Sequence, residues 1–261
     1  MSTAGALGTA ALAILAVMVI TWVISLLVRD ASIVDIVWGL GFVVTAWVTR
    51  VAVDGYQARQ NVLVILTTVW GVRLSLYLAR RNLGHGEDYR YQSMRRRAGS
   101  SFAVKSLVTV FLLQGAVMWI VSLPVQLGQS SDDKGAFAVF VVVGTFVWAV
   151  GMFFETVGDW QLTRFKADPS NAGTVMDRGL WSWTRHPNYF GDFCVWWGIF
   201  IVAASAWPGP ISVIGPVVMT VMLTRVSGKA LLERGLKKRR EGYDAYIART
   251  SGFFPRPPRS A

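Results

Sequence analysis

The chain is poor in the residues that bind metals and form disulfides. Among its 261 residues it has one cysteine, Cys194, and two histidines, His85 and His186. A single cysteine excludes an intramolecular disulfide and a four-cysteine metal site, and two histidines exclude a multi-histidine centre. The glycine-rich fingerprint of a Rossmann nucleotide site is also absent. Cys194 lies in an apolar run, where we expect a small packing residue.

Charge is scarce as well. Only 16% of the residues are charged, 53% are hydrophobic, and the mean hydropathy is +0.44. Residues 1–28 contain no charged side chain, and neither do residues 135–154. A soluble domain needs more polar surface, whereas about 20 apolar residues cross a bilayer as a helix. The sequence therefore predicts an all-α integral membrane protein forming a single domain over residues 1–261.

Hydropathy predicts about seven transmembrane helices. The first run lacks a basic leading segment and is longer than a typical signal sequence, so we expect it to be retained. The last run is short and carries Pro216, which predicts a kink or an extension by later residues. A tight turn is expected at Pro208-Gly-Pro210. The predicted spans are Leu7–Val28, Ile33–Thr49, Asn61–Leu78, Ser106–Leu127, Gly135–Val157, Tyr189–Trp207 and Ile211–Leu223.

The basic residues orient these helices. They concentrate in the third and fifth connections and in the tail from Arg225, while the second, fourth and sixth connections hold only Arg50, Arg59 and Lys134. The positive-inside rule then predicts an external N-terminus and a cytoplasmic C-terminus in a multi-pass cell-membrane protein. The net charge of +11 is expected to attract anionic membrane lipids. No nucleic-acid-binding module is present, and the oligomeric state is left open.

Ionisable residues within or beside the apolar runs indicate function, because charge is costly there. Asp35 lies near the start of the second span, and Arg73 precedes Tyr77 by one turn in the third. Glu155 and Asp159 form a similar pair at the end of the fifth. Taken singly, Asp35 is equally consistent with a helix cap, and Arg73 with a side chain that reaches toward lipid phosphate. Together they favour a pocket for a ligand with a polar head and an apolar body.

The polar segment Asp177–Asp192 leads directly into the sixth predicted helix. Pro187 is expected just before that helix, with Asn188 capping its N-terminus. Arg185 and His186 lie beside this end, so the segment predicts a binding place for a phosphate or a carboxylate.

These residues resemble a known family. Thr184-Arg-His-Pro-Asn-Tyr-Phe-Gly-Asp192, preceded by Gly179-Leu-Trp and followed by Glu241-Gly-Tyr-Asp-Ala-Tyr246, resembles the C-terminal half of the steroid 5-alpha-reductase superfamily. With Gly86-Glu-Asp-Tyr-Arg-Tyr91 and Asp35-Ile-Val-Trp-Gly39, the chain is more closely similar to the bacterial DUF1295 branch. The resemblance is most specific over residues 150–254. It implies a membrane reductase that transfers hydride from NADPH to an activated carbon–carbon double bond of a lipid-like or steroid-like substrate.

The resemblance also implies roles for individual residues. Asp35 is the nearest counterpart of the acid that polarises the substrate carbonyl, Tyr77 belongs to a matching Arg-x-x-x-Tyr pair, and Trp70 falls where the steroid enzymes have their catalytic tyrosine. Glu155 and Glu233 also depart from the steroid enzymes. No metal is expected. The residues expected to bind NADPH are Arg73, Asp159, Arg164, Lys166, Arg185, His186, Asn188, Tyr189, Asp192, Arg225 and Glu233.

A second reading stays open. Membrane methyltransferases of the isoprenylcysteine and phospholipid types, which use S-adenosylmethionine, share an Arg-His-Pro-x-Tyr-x-Gly element like that at Arg185. NADPH carries phosphates that need cations, whereas S-adenosylmethionine is itself cationic. Convergence of Arg73, Lys166, Arg185 and Arg225 would favour NADPH. A transporter or a lipid-binding scaffold is disfavoured, because no internal repeat is visible and neither needs the polar segment.

Overall fold

A computed structural model of the chain describes residues 2–226, 233 and 242–258. These residues are helical, and an isolated bridge between Thr184 and Ser251 is the one β-type pairing among them. The predicted all-α class is confirmed. The α-helices are α1 Thr3–Val28, α2 Ile33–Ala52, α3 Gln57–Asn82, α4 Tyr89–Ala98, α5 Phe102–Ser106, α6 Leu113–Val121, α7 Leu123–Gln129, α8 Phe137–Ala167, α9 Leu180–Trp183, α10 Pro187–Ala203, α11 Ile214–Val221 and α12 Tyr243–Arg249.

Shorter helical turns link several of these helices. A 3-10 turn at Gly99–Ser101 separates α4 from α5, and a π-helical stretch at Leu107–Leu112 joins α5 to α6. A 3-10 turn at Gly209–Val213 precedes α11, and a π-helical stretch at Met222–Val226 follows it. The last predicted span, Ile211–Leu223, is therefore extended by later residues, as its short length indicated, and it also begins two residues earlier than predicted.

Six helical segments in the described residues are long and apolar enough to cross a membrane: α1, α2, α3, Tyr89–Val121, α8 and Gly209–Val226. The protein is therefore membrane-embedded, with six such segments instead of about seven. The remaining predicted span, Tyr189–Trp207, is α10, which has 17 residues and a length of about 25 Å, less than the ~30 Å hydrocarbon core. The apolar run continues to Trp207, but the helix ends at Ala203 and the backbone turns.

Two further boundaries differ from the prediction. The fourth span begins at Tyr89 and ends at Val121 instead of covering Ser106–Leu127. It ends early because Ser122 closes α6, and Pro124, which cannot continue that helix, lies in the first turn of α7. Helix α8 continues past Val157 to Ala167, giving 31 residues and a length of about 46 Å. Part of α8 must therefore extend beyond the hydrocarbon core.

The chain forms two compact units. Unit 1 comprises Met1–Val142 and Ile199–Gly215, and unit 2 comprises Val143–Gly198 and Pro216–Ala261. Within unit 2, a methyl group at Gly151 would lie 2.6 Å from the carbonyl oxygen of Gly191. Glycine at both positions thus lets the backbones of α8 and α10 approach closely. The single domain predicted over residues 1–261 stays a prediction.

Unit 1 contains a fully buried arginine. The Arg59 guanidinium donates hydrogen bonds to the carbonyl oxygens of Gly128 at 2.7 Å, Ser131 at 2.5 Å and Asp133 at 2.8 Å. These bonds hold the end of α7 and the residues after it, up to Asp133, against the start of α3. Arg59 therefore acts inside the protein and does not face lipid headgroups.

Candidate functional site

The polar segment that precedes α10 is fixed to α8 at two points. Gly179 has a left-handed backbone with φ of +59°, and the next amide, of Leu180, donates to Gln161 Oε1 at 3.0 Å. Trp181 Nε1 donates to the carbonyl oxygen of Gly158 at 3.0 Å. A side chain at Gly179 would collide with Gln161, so the glycine both permits the turn and leaves room for this anchor.

The C-terminal tail, residues 242–258, packs on the same segment. Thr184 Oγ1 donates to the Phe253 carbonyl oxygen at 2.8 Å, and the Arg185 amide donates to the Ser251 carbonyl oxygen at 2.9 Å. Both segments lie in unit 2. The start of α10 is thus held from one side by α8 and from another by the tail.

Arg185 is buried, and its Nε and Nη1 are both hydrogen-bonded within unit 2. Its Nε donates to Glu233 Oε1 at 2.9 Å, and its Nη1 donates to the carbonyl oxygens of Thr250 at 2.7 Å and Ile247 at 3.2 Å. The last two carbonyls belong to the C-terminal end of α12, where a cation is stabilising. His186 Nε2 also contacts Glu233 Oε1, at 3.0 Å.

The expected anion-binding place is therefore filled by a carboxylate of the protein itself. Burial raises the pKa of Glu233, but the hydrogen bonds from His186 and Arg185 outweigh it and bring that pKa to about 2. Glu233 is thus an anion at neutral pH. The imidazole of His186 also stacks on the Tyr189 ring, with 5.4 Å between centroids and 10° between planes.

A second polar pair joins α8 to the first turn of α10. Asp159 is buried, and Asn188 Nδ2 donates to its Oδ1 at 3.3 Å, while Asn188 Oδ1 accepts the Tyr189 amide at 3.1 Å. Pro187 is the first residue of α10 and does not precede the helix as expected. Its fixed φ suits this position, so Asn188 lies inside the first turn.

The other predicted cofactor residues of unit 2 lie on α8, α10 and the stretch after α11, and buried Glu155 lies on α8 as well. Glu155 is buried one turn before Asp159 on α8, and Asp192 follows Asn188 by one turn on α10. Arg164 and Lys166 are exposed on the last turn of α8. Arg225 is exposed on the π-helical stretch after α11.

Unit 1 has its own cluster of polar side chains, centred on Asp35 of α2. Tyr91 donates its hydroxyl hydrogen to Asp35 Oδ1 at 2.8 Å, and Arg90 Nη2 donates to Oδ2 at 2.8 Å. The two carboxylate oxygens therefore have different partners, a neutral phenol and a cation. The tyrosine joined to the predicted acid is Tyr91, which the sequence-based assignment does not include.

A neighbouring ion pair fixes this cluster to the turn between α1 and α2. Glu87 accepts two hydrogen bonds from Arg95, at 2.7 and 3.0 Å, and one from the Ala31 amide at 2.9 Å. Burial raises the pKa of Glu87, but these bonds outweigh it and leave the pKa below its usual value. These contacts restrain the segment from Glu87 to Arg95, and this segment positions Arg90 and Tyr91 beside Asp35.

The remaining predicted residues of unit 1 lie on α3. Trp70 is fully buried and packs edge-on against Phe42 of α2, with 5.4 Å between ring centroids. The Arg73 guanidinium lies over the Tyr77 ring at 5.4 Å. The predicted Arg73–Tyr77 pair therefore exists as a cation–π contact, and Trp70 is part of the helix packing.

Signals for the additional residues were present in the sequence. Gly86–Tyr91 and Asp35–Gly39 were both recognisable segments, and the structure joins them through Asp35 and Tyr91. Nothing in hydropathy or spacing paired two segments 56 positions apart. Within the described residues, no group of three or more histidine, cysteine, aspartate or glutamate side chains is arranged to hold a metal ion.

Comparison with known proteins gives a family match and a distant relative. The profile of DUF1295, described as a protein family of unknown function, matches residues 21–250. An uncharacterized protein of Schizosaccharomyces pombe, C594.04c, is 21% identical over an alignment 213 residues long, which covers 72% of this chain and 61% of that protein. The chain thus spans about three fifths of that relative's length. No solved structure matches it.

Proposed function

The chain belongs to the DUF1295 family, and from that premise we propose that it is a membrane-embedded, NADPH-dependent reductase. Its substrate would carry an activated carbon–carbon double bond on a lipid-like or steroid-like body. The resemblance to the steroid 5-alpha-reductase superfamily supports this proposal. The observation that carries it is the hydrogen bond between buried Asp159 of α8 and half-buried Asn188 of α10 in unit 2. The exposed end of α8 bears Arg164 and Lys166.

These residues suit the parts of a dinucleotide. Asp159 accepts hydrogen bonds and Asn188 can both donate and accept, which fits ribose hydroxyls or a nicotinamide carboxamide. Lys166 lies seven positions after Asp159 on the same helix, about 10 Å further along the axis, and with Arg164 it provides cations for phosphate groups. Bound NADPH would supply the hydride, while the protein positions the nucleotide.

We further propose that Asp35 and Tyr91, which are hydrogen-bonded to each other in unit 1, deliver the proton. Addition of hydride to a conjugated double bond leaves negative charge on the carbonyl oxygen, and a proton must then reach the neighbouring carbon. The Tyr91 hydroxyl would supply this proton by turning its hydrogen from Asp35 to the substrate, and the nearby Arg90 cation would offset the phenolate that is left until water reprotonates it. Arg90 holds the other carboxylate oxygen and thereby fixes the direction in which Asp35 faces Tyr91.

A membrane methyltransferase using S-adenosylmethionine is the second candidate, and one observation favours it. Arg185, expected as a phosphate ligand, is already paired with Glu233. Buried carboxylates in unit 2, Glu155 and Asp159 among them, suit a sulfonium cation better than a polyphosphate. The two candidates therefore make opposite predictions about the charge of the preferred ligand.

Ligand binding by the full chain in detergent separates the candidates. We expect calorimetry to show tighter binding of NADPH than of NADH or S-adenosylmethionine. Asn188→Ala should weaken NADPH binding at least tenfold, about 1.4 kcal/mol, because it removes the bond to Asp159. The matched control is Asn61→Ala, an exposed asparagine of α3, which should leave the affinity within twofold. A binding heat with S-adenosylmethionine and none with NADPH would refute the reductase proposal.

A further inference from the structure

A small cavity lies in unit 1 beside the break between α4 and α5. Its volume is about 200 Å³, and its lining includes Met94, Arg97, Phe102 and Lys105. Two cations and two large apolar side chains therefore share one recess, and the lining contains no acidic side chain. Pockets that enclose a drug-sized ligand usually measure about 300–1,000 Å³, so this cavity suits a headgroup better than a whole nucleotide.

The cations of this segment fall into two groups. Arg90 is paired with Asp35 and Asp88, and Arg95 is paired with Glu87. Arg96, Arg97 and Lys105 are exposed, and none of them forms an ion pair within the described part of the chain. Two of these three unpaired cations, Arg97 and Lys105, line the cavity.

The helix break brings these two cations to the same recess. Gly99 has φ of +55° and begins the 3-10 turn Gly99–Ser101, so α4 ends before α5 starts. Arg97 and Lys105, eight positions apart, consequently line one cavity. The Phe102 ring is buried beneath the Arg95 guanidinium, which lies 4.1 Å from the ring centroid, and this contact stabilises the apolar part of the lining.

The cavity lies where the segment changes from basic to apolar. Beyond Lys105, the membrane-spanning segment Tyr89–Val121 exposes Val108 and Leu113, each more than half accessible. Exposed apolar side chains on a spanning helix contact lipid tails, and basic residues just before them lie at the depth of the phosphates. The recess is thus positioned for a lipid headgroup.

We propose that this cavity is a binding site for an anionic phospholipid. Arg97 and Lys105 bind the phosphate oxygens, and Met94 and Phe102 contact the glycerol and the first acyl carbons. The anionic headgroup supplies the charge that the cavity lacks, whereas the cationic group of a zwitterionic lipid opposes it. This assignment does not depend on the reductase proposal.

The test compares short-chain phosphatidylglycerol with short-chain phosphatidylcholine, added to the full-length protein in nonionic detergent. We expect native mass spectrometry and calorimetry to show at least tenfold tighter binding of phosphatidylglycerol. The double variant Arg97→Gln/Lys105→Gln should lose that preference at least tenfold. Arg80→Gln/Arg96→Gln removes the same charge from exposed positions outside the lining and should change the affinity less than twofold.

Three results would overturn the proposal. Equal loss in both double variants would mean that the lipid responds to overall charge and not to this cavity. Equal affinity of the unmodified protein for the two lipids would mean that the cavity does not select an anionic headgroup. Full competition by millimolar inorganic phosphate would identify a site for free anions. Thermal unfolding of each variant, unchanged from the parent, establishes that lost binding is not lost folding.

Discussion

Three buried or half-buried charges in this protein are stabilised by different means. Arg59 donates to backbone carbonyl oxygens, Arg185 pairs with Glu233, and Asp35 accepts from Tyr91 and Arg90. Burying a charge is costly unless hydrogen bonds or an opposite charge compensate. The hydrogen bonds of Arg59 and Arg185 join backbone segments to one another or to a carboxylate, which is typical of structural charges. Asp35 is bonded instead to a hydroxyl that carries a transferable proton.

If the chain is a reductase as proposed, substitutions at Asp35 and Tyr91 should affect turnover without affecting nucleotide binding. Asp35→Asn and Tyr91→Phe should each lower kcat about 100-fold, the size of a general acid–base contribution, because each breaks the hydroxyl–carboxylate bond. The dissociation constant for NADPH, measured by fluorescence titration, should stay within twofold. Asp54→Asn, at an exposed carboxylate of the same unit, is the control. Unchanged turnover in both variants would exclude the pair from proton delivery.

At the scale of elements, unit 2 depends on the contact between α8 and α10. Glycines recur at positions 144, 151 and 158 of α8, and α10 presents Gly198, Gly191 and Pro187 to them in reverse order. This antiparallel contact places Asn188 beside Asp159. The close approach thus has a chemical consequence, since a wider separation would break the amide–carboxylate bond.

A bulky residue in this contact should therefore damage both stability and binding. Gly151→Leu should lower the stability by about 1–3 kcal/mol, the usual cost of overpacking, because the side chain meets the Gly191 backbone. A thermal shift in detergent would measure it. Gly8→Leu is the matched control, since nothing lies within 4 Å of a methyl group at Gly8 of α1. Equal shifts in the two variants would contradict close packing at Gly151.

Hydropathy predicted the helices of this protein better than their ends. It located α1, α2 and α3 because apolar runs there coincide with helices, and it missed the last ten residues of α8 because Asp159 and Arg164 are polar although the helix continues. Hydropathy could not predict the hydrogen bond between Asp35 and Tyr91, since contacts between distant segments leave no periodic pattern in the sequence. The charges around Arg185 predicted an anion-binding site there. That Glu233 of the same chain provides the anion could be seen only in the structure.

At the scale of the whole molecule, membrane orientation follows from the uneven distribution of basic residues. The segment that contains Arg96 and Arg97 lies at one end of the span Tyr89–Val121, and the acidic residues Asp132 and Asp133 follow its other end. The positive-inside rule places the basic end in the cytoplasm. That orientation stays a prediction until the two ends are probed separately.

The single cysteine makes this measurement direct. Cys194 is 6% exposed and should react little with a membrane-impermeant maleimide. Ser100→Cys, exposed at the basic end, should be labelled in inside-out vesicles and protected in right-side-out vesicles. Asp132→Cys, exposed beyond the other end, should show the opposite pattern. The reverse result for both positions would invert the orientation, and labelling of both from one side would mean that Tyr89–Val121 does not span.

The packing of residues 242–258 on the segment before α10 has a consequence for biosynthesis. The ribosome makes Thr184 and Arg185 well before Ser251 and Phe253, which supply their partners. During translation the Thr184 hydroxyl and the Arg185 amide and guanidinium therefore lack these hydrogen-bond partners until residues 250–253 have been synthesised. Domains generally begin folding from the N-terminal side. Nascent chains halted before Ser251 should be the ones that quality-control proteases recognise, even when every helix that can span the membrane has already been inserted.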